Sequence, residues 1–208
     1  MSFPIHPLDK ALGDITSIRR QVARTTEFRG YGAATLAATG IFAMIAAVTQ
    51  YFLLSDPANH IGNYLRIWVT TAIVSAALIG MQTLTRTRRI HSGLADEMIL
   101  MAVEQFLPSV GAGALISIIL VRFVPACVWL LPGFWQITFS LGVFASCRFL
   151  PKPMTAAGAW YLLTGLACIG LGDARALTPW TMGIAYGVGQ LLVAAVLLWG
   201  SKENRDEI

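Results

Sequence analysis

The sequence predicts an all-α integral membrane protein with six transmembrane helices preceded by an amphipathic interfacial helix. Composition is the first reason, because 56% of the 208 residues are hydrophobic and only 12% are charged, whereas soluble domains carry about 25% charged residues. Long apolar runs with short connections are the second reason. The third is an uneven distribution of basic residues along the chain, which also predicts the orientation.

Six apolar runs are long enough to cross a membrane, whose core of about 30 Å requires roughly 20 apolar residues in a helix. They cover residues 31–54, 65–84, 98–121, 126–147, 154–172 and 179–200. Because the runs are continuously apolar and do not alternate, they indicate helices and not barrel strands. The predicted organisation is a leader over residues 1–30, a six-helix membrane domain over 31–200 and a charged tail over 201–208.

The leader contains the pattern of an amphipathic surface helix over residues 8–24, where apolar side chains recur at spacings of three and four. These are Leu8, Leu12, Ile15, Ile18 and Val22. Arginines occupy the other faces, so such a helix would lie in the membrane interface with its positive charges near anionic headgroups. Two roles fit it: a membrane-surface anchor and a docking segment for a cytoplasmic partner.

Twelve of the fifteen lysines and arginines fall in segments on one side of the six predicted spans. They are Lys10, Arg19, Arg20, Arg24, Arg29, Arg86, Arg88, Arg89, Arg148, Lys152, Lys202 and Arg205. Only Arg66, Arg122 and Arg175 fall on the other side. Because short loops rich in positive charge stay in the cytoplasm, the sequence predicts a multi-pass cell-membrane protein with both termini cytoplasmic.

Small residues recur at one-turn spacing in three of the runs, which lets helix backbones approach closely. The rows are Ala72, Ala76 and Gly80; Ser109, Gly113 and Ser117; and the GxxxG pair Gly183 and Gly187. They fit packing within one chain or, for the GxxxG pair, a homodimer. The expected partners are therefore the lipid bilayer and either a second copy or another subunit of a membrane complex, and no feature indicates nucleic acid.

Neither the cysteines nor the histidines indicate a metal or cofactor site. Cys127, Cys147 and Cys168 form no CxxC pair, and the three histidines lie outside the predicted spans. A bis-histidine haem needs histidines inside the bundle, and retinal needs a lysine there. No cofactor is identified. Cys127 and Cys168 are expected to be either bridged or packed as apolar side chains.

Glu104 is the most unusual group in the predicted spans, because it lies six residues, or about 9 Å, along the third helix from its cytoplasmic end. A carboxylate facing lipid is costly. We therefore expect Glu104 to line a polar cavity with Gln105, beside the deformable segment 108–113, and to bind a cation or a proton. The alternatives are a structural ion pair with Arg148 and a carboxylate that snorkels to the interface.

Three glutamines within the spans, Gln82, Gln136 and Gln190, are further polar candidates. They could share one cavity, although amides also join helices by hydrogen bonds without any solute. Trp135 lies next to Gln136, well inside the fourth run, and its indole N–H should find a partner there, either in packing or in a ligand. The predicted ligand-binding residues are Glu104, Gln105, Gln136 and Gln190.

Three classes of function fit these features. A small carrier or channel for an ion or small solute is favoured by the intramembrane carboxylate and the proline and glycine interruptions. A non-enzymatic sensor, scaffold or accessory subunit of a membrane complex is the alternative, favoured by the basic amphipathic leader. An enzyme is the least supported class, because the sequence contains neither HExxH nor GxSxG.

Overall fold

The computed structural model describes residues 32–90, 93–147 and 153–206, and in these ranges the chain is helical apart from its connections. The α-helices are α1 (Ala33–Leu53), α2 (Ile61–Ile90), α3 (Gly93–Phe123), α4 (Leu131–Ser146), α5 (Met154–Gly170) and α6 (Pro179–Asp206). Two short 3-10 helices, Pro125–Leu130 and Ala174–Leu177, lie in the connections. No strand occurs in the described ranges, so the predicted all-helical class is confirmed.

Five segments in this part of the chain are long and apolar enough to cross a membrane. They are Ala33–Leu53, Ile61–Gln82, Glu104–Phe123, Pro125–Ser146 and Pro179–Leu198. The helix α5 is also apolar but has only 17 residues. A multi-pass membrane protein is therefore supported, whereas the sixth span stays a prediction. The amphipathic leader lies outside the described residues, and α6 continues to Asp206, into the predicted tail.

Three connections, residues 54–60, 124–130 and 171–178, meet at one end of the bundle, which we call the loop end. Leu54, Val128, Leu131 and Leu177 pack there in one buried cluster. Proline favours the first turn of a helix because an N–H is not needed there, and prolines begin both the 3-10 helix Pro125–Leu130 and α6. These contacts fix three helix ends against one another.

Close glycine contacts hold the two most extensively packed helix pairs together. A Cβ atom on Gly183 of α6 would lie 2.6 Å from the Cβ of Ala47 on α1, and Gly187 faces Met44 in the same way. A Cβ on Gly165 of α5 would lie 2.9 Å from the carbonyl oxygen of Gly133 on α4. The GxxxG pair is thus occupied by packing within one chain, which leaves these two glycines covered by α1.

The helices α2 and α3 lie at the edge of the bundle. Only 11% of the residues in the apolar segment of each are buried, compared with 33% to 44% in α1, α4 and α6. The helix α3 runs without a break through Pro108. It contacts α4 through a row at helical spacing, in which Phe106 lies against Gly142, and Gly113 against Thr138.

Candidate functional site

Gln50 holds three elements together at the loop end through a closed set of hydrogen bonds. Its side-chain amide nitrogen donates to the Leu177 carbonyl oxygen at 2.7 Å, and its amide oxygen accepts from the indole nitrogen of Trp68 at 2.7 Å. Gln50 is completely buried and Trp68 nearly so. Because both ends of the amide are bonded, this site is satisfied by the protein alone. Gln50 was not among the residues predicted from sequence.

Trp135 joins α4 to α3 through a second hydrogen bond between side chains. Its indole nitrogen donates to the Ser117 hydroxyl at 2.7 Å, and that hydroxyl donates to the Gly113 carbonyl oxygen at 2.7 Å. The expectation that the Trp135 N–H finds a partner inside the bundle is confirmed, and the partner is a protein group. Trp135 therefore acts in packing and connects a peripheral helix to the core.

Gln136 is completely buried on α4, but its hydrogen bonding is incomplete. The amide nitrogen donates to the Thr181 carbonyl oxygen on α6 at 3.1 Å and approaches the Met182 sulfur at 3.8 Å. The amide oxygen has no partner among the described residues. The amide nitrogen of Gln136 thus joins α4 to α6, whereas its amide oxygen is a buried acceptor without a donor.

Tyr161 and Gln190 form a second incomplete site deeper in the bundle, between α5 and α6. Tyr161 is completely buried, and the Gln190 side-chain amide lies beside its hydroxyl. Neither the Tyr161 hydroxyl nor the Gln190 amide oxygen has a hydrogen-bond partner of acceptable geometry among the described residues. The surrounding space is tight, because a Cβ on Gly189 would clash with the Tyr161 ring.

A buried tyrosine on α2 adds a fourth unpartnered atom near the loop end. The Tyr64 ring stacks on that of Trp135 with centroids 6.2 Å apart, and its hydroxyl has no partner in the described part of the chain. Tyr64 belongs to the buried cluster against which Tyr186 packs, and the Tyr186 ring lies 5.2 Å from that of Tyr161. Tyr186 therefore lies between the surroundings of Tyr64 and Tyr161.

We call the four residues with unpartnered buried oxygens the interior polar series: Tyr64, Gln136, Tyr161 and Gln190. They come from α2, α4, α5 and α6. Gln190 lies nine residues beyond Thr181, the partner of Gln136, so the two amides are separated by about 13 Å along α6. Gln136 and Gln190 therefore belong to one interior but not to one hydrogen-bonded cluster.

Glu104 and Gln105 lie elsewhere, on the exposed surface of α3. Phe106 packs against Gly142 on α4, so Glu104 lies close to the level of the last turn of α4, which ends at Ser146. No hydrogen bond or ion pair joins Glu104 to another described residue, and Arg148 lies outside the described residues. The structure therefore brings Gln136 and Gln190 into the interior and leaves Glu104 and Gln105 outside it.

The two tyrosines of the interior polar series were missed by the sequence analysis, as was Gln50. Tyrosine counts as an apolar residue in a hydrophobic run, so the hydroxyls of Tyr64 and Tyr161 produce no signal in hydropathy. For Tyr161 the available signal was its position inside the fifth apolar run, where a hydroxyl without water needs a partner. Tyr64 gave no such signal, because it directly precedes the second predicted run, residues 65–84. Gln50 gave the same signal as Tyr161, in the first run.

The charged side chains whose exposure the structure describes lie outside the interior. None of them is buried, and the ion pair between Arg175 and Asp173, at 2.9 Å, is exposed at the loop end. Hydrogen bonds from Arg175 hold the pKa of the Asp173 carboxyl below its ordinary value. Hydrogen bonds from Asn59 lower the pKa of the Asp56 carboxyl in the same way. Both carboxylates stabilise local loop structure.

The three cysteines are free, so the disulfide between Cys127 and Cys168 is not formed and the packing alternative holds. Cys168 is buried with its sulfur 3.7 Å from the Ala176 carbonyl oxygen. The described residues contain no group of three histidine, cysteine or acidic side chains that could hold a metal. No family model, curated protein or solved structure matches the chain.

Proposed function

We propose that the protein crosses the membrane six times, with both termini in the cytoplasm and the loop end outside. The length of α5 supports a sixth span, because its 17 residues rise about 25 Å, near the lower limit for a membrane-crossing helix. The charge distribution supports the orientation, because Arg66, Arg122 and Arg175 are the only basic residues in the segments that would lie outside.

We infer that the protein is a small carrier or channel that admits an uncharged polar solute through the interior polar series. The observation that supports this is the set of four buried oxygens without partners. Leaving a buried donor or acceptor unpaired costs about 1–3 kcal/mol, and a membrane core offers no water to relieve that cost. A solute with hydroxyl or amide groups would satisfy these atoms in turn as it moves along the series.

The chemistry of the lining favours an uncharged solute. Hydroxyl and amide groups form the interior polar series, and none of the charged side chains whose exposure the structure describes is buried. An ion in such a site would lack an opposite charge, and a buried unpaired charge is strongly unfavourable. A cation or proton bound at Glu104 stays a prediction from the sequence, and the exposure of that side chain does not favour it.

The proposal is tested by solute entry into vesicles that contain the purified full chain. We expect stopped-flow light scattering to show faster equilibration of glycerol or urea than in protein-free vesicles. Tyr161→Phe should reduce that protein-dependent rate at least about fivefold, because one hydroxyl that binds the solute is worth roughly 1 kcal/mol or more. Tyr51→Phe is the matched control, since it removes the hydroxyl of a tyrosine that is 61% exposed on α1.

Protein-containing vesicles that equilibrate water, glycerol and urea no faster than empty vesicles would contradict the proposal. Equal loss of rate in Tyr161→Phe and Tyr51→Phe would also contradict it, because the effect would then not depend on the interior. Correct insertion of each variant is checked by protease protection of the two termini.

A scaffold or accessory subunit of a membrane complex is the second candidate, and the low burial of α2 and α3 favours it. A partner subunit or a second copy would cover these two helices. Mass measurement in detergent by light scattering tests the second-copy version. A dimer that is lost in Ile73→Arg, at a position 63% exposed on α2, would support it, and a monomer at all concentrations would contradict it.

A further inference from the structure

A cleft of about 420 Å³ opens between α1 and α2 on the outer surface of the bundle. Its walls include Phe42, Ile45 and Thr49 from α1 and Arg66, Ile67 and Val74 from α2. The volume lies within the range typical of small-molecule sites. Arg66 and Val74 are eight residues apart, so the cleft extends about 12 Å along α2 from Arg66 toward the middle of the helix.

Arg66 provides a positive charge at the end of the cleft nearest the loop end. Its side chain is exposed, and its hydrogen bond to the Asn63 side-chain oxygen is long, at 3.5 Å. No carboxylate lies within ion-pair distance of it among the described residues. Arg175, at the same end, differs because Asp173 already neutralises it at 2.9 Å. The Arg66 guanidinium is therefore available to an anion.

The cleft combines an apolar trough with a positive charge, and the ligand that matches both is a molecule with a hydrocarbon chain and an anionic headgroup. An apolar trough fits a hydrocarbon chain, and a guanidinium at its mouth fits a phosphate, which arginine binds through two parallel hydrogen bonds. Arg66 lies five residues after the first residue of α2, so its flexible stem reaches the membrane interface, where phospholipid phosphates are found. Thr49 and Thr70 add hydroxyl groups to the same walls.

We propose that this cleft, the α1–α2 cleft, is a binding site for an anionic phospholipid, with the phosphate on Arg66 and one acyl chain along Ile67 and Val74. Lipid seated here would cover a boundary between a well-packed helix and a peripheral one. The inference rests on the proposed membrane location but not on solute movement through the interior polar series, because Arg66 belongs to the cleft and not to that series.

Binding is measured by native mass spectrometry of the purified full chain in detergent, titrated with phosphatidylglycerol or phosphatidylcholine. We expect phosphatidylglycerol to bind more tightly than phosphatidylcholine. The substitution Arg66→Gln should raise the dissociation constant for phosphatidylglycerol about tenfold, the size expected for the loss of one charge-assisted contact. Arg122→Gln is the matched control, since Arg122 is also an exposed arginine near the loop end but lies on α3. The dissociation constant of the Arg122→Gln variant for phosphatidylglycerol should lie within about twofold of that of the unaltered chain.

The acyl-chain half of the site is tested with a pair of substitutions on α2. Val74→Trp places a large ring in the cleft and should weaken the binding of phosphatidylglycerol at least about tenfold. Val69→Trp changes a residue that is 43% exposed and outside the cleft, and should leave binding unchanged. Soluble glycerol phosphate, which has the headgroup chemistry without the chain, should not compete.

Equal phosphatidylglycerol binding by the unaltered chain and Arg66→Gln would overturn the proposal, as would full competition by glycerol phosphate. Unchanged binding in Val74→Trp would overturn the acyl-chain position. Solute entry into vesicles distinguishes this failure from failure of the proposed function, because Arg66→Gln is expected to keep the glycerol or urea rate of the unaltered chain.

Discussion

Two glutamine side chains in this protein, the buried Gln50 and the half-buried Gln190, differ in whether the protein satisfies their amide oxygens. Gln50, at the loop end, has both ends of its amide bonded, to Trp68 and to the Leu177 carbonyl oxygen. Gln190, in the middle of α6, lies beside the Tyr161 hydroxyl, yet neither its amide oxygen nor that hydroxyl has a hydrogen bond of acceptable geometry among the described residues. An amide whose donor and acceptor are both bonded within the protein stabilises the fold and needs no further partner. An unsatisfied one has a cost that a bound solute would remove.

The largest effect on stability is expected from Gln50→Leu. This substitution leaves the Trp68 indole N–H and the Leu177 carbonyl oxygen unpaired in a buried cluster, at about 1–3 kcal/mol for each group. We expect a loss of about 2–4 kcal/mol, measured by thermal unfolding in detergent. Gln190→Leu is the control, because its amide oxygen has no partner to lose. Equal destabilisation by the two changes would remove the distinction between the sites.

A smaller effect is expected from Trp135→Phe, which removes one hydrogen bond between α4 and the peripheral helix α3. Ser117 keeps its bond to the Gly113 carbonyl oxygen, so only one hydrogen bond is lost, and the phenyl ring keeps an aromatic group beside Tyr64. Side-chain hydrogen bonds between membrane helices contribute about 0.6 kcal/mol on average and up to about 1.7 kcal/mol. Thermal unfolding should show a loss in this range. Trp180→Phe, at a position 43% exposed, should change stability less.

The smallest effect is expected from Glu104→Gln, because the side chain is exposed and makes no ion pair with another described residue. Stability should change by less than about 0.5 kcal/mol, and the vesicle entry rate should be retained. The cation or proton site expected at Glu104 from the sequence predicts the same intact folding but a loss of flux. Should Glu104→Gln abolish solute or proton flux, the site on α3 would replace the interior polar series as the functional region.

The positions of the helices were largely predictable, because the lengths of the apolar runs and the positions of the prolines determine where most of them begin and end. The fifth run was predicted to begin at Met154 and the sixth at Pro179, and both helices begin there. The fourth run was predicted to begin at residue 126 as one helix, but Pro125 begins a 3-10 helix and α4 starts only at Leu131. Hydropathy does not distinguish the 3-10 helix from the α-helix, because the side chains are mostly apolar in both parts.

The interior was less predictable, because helix facing depends on contacts between distant segments. A glutamine in an apolar run gives the same sequence signal whether it meets a backbone carbonyl, as Gln50 does, or no partner, as with the oxygen of Gln136. Glu104 illustrates the same limit. Its depth along α3 was estimated from the run of apolar residues, whereas its exposure follows from which row of α3 packs on α4.

Tyr161→Phe tests the central claim, that the interior polar series serves a solute and not the fold. The measurement is the melting temperature of the unaltered chain and of this variant, each with and without the same high concentration of glycerol, because urea would itself destabilise both proteins. Without solute, the variant should melt at a temperature no lower than that of the unaltered chain and about 2–4 °C higher for each kcal/mol gained, because the substitution removes a buried hydroxyl that has no partner. Solute should stabilise the unaltered chain, because a ligand that binds only the folded state raises its melting temperature, and should stabilise the variant less. A variant that melts several degrees lower without solute, with equal shifts on adding it, would contradict the claim and assign Tyr161 to the fold.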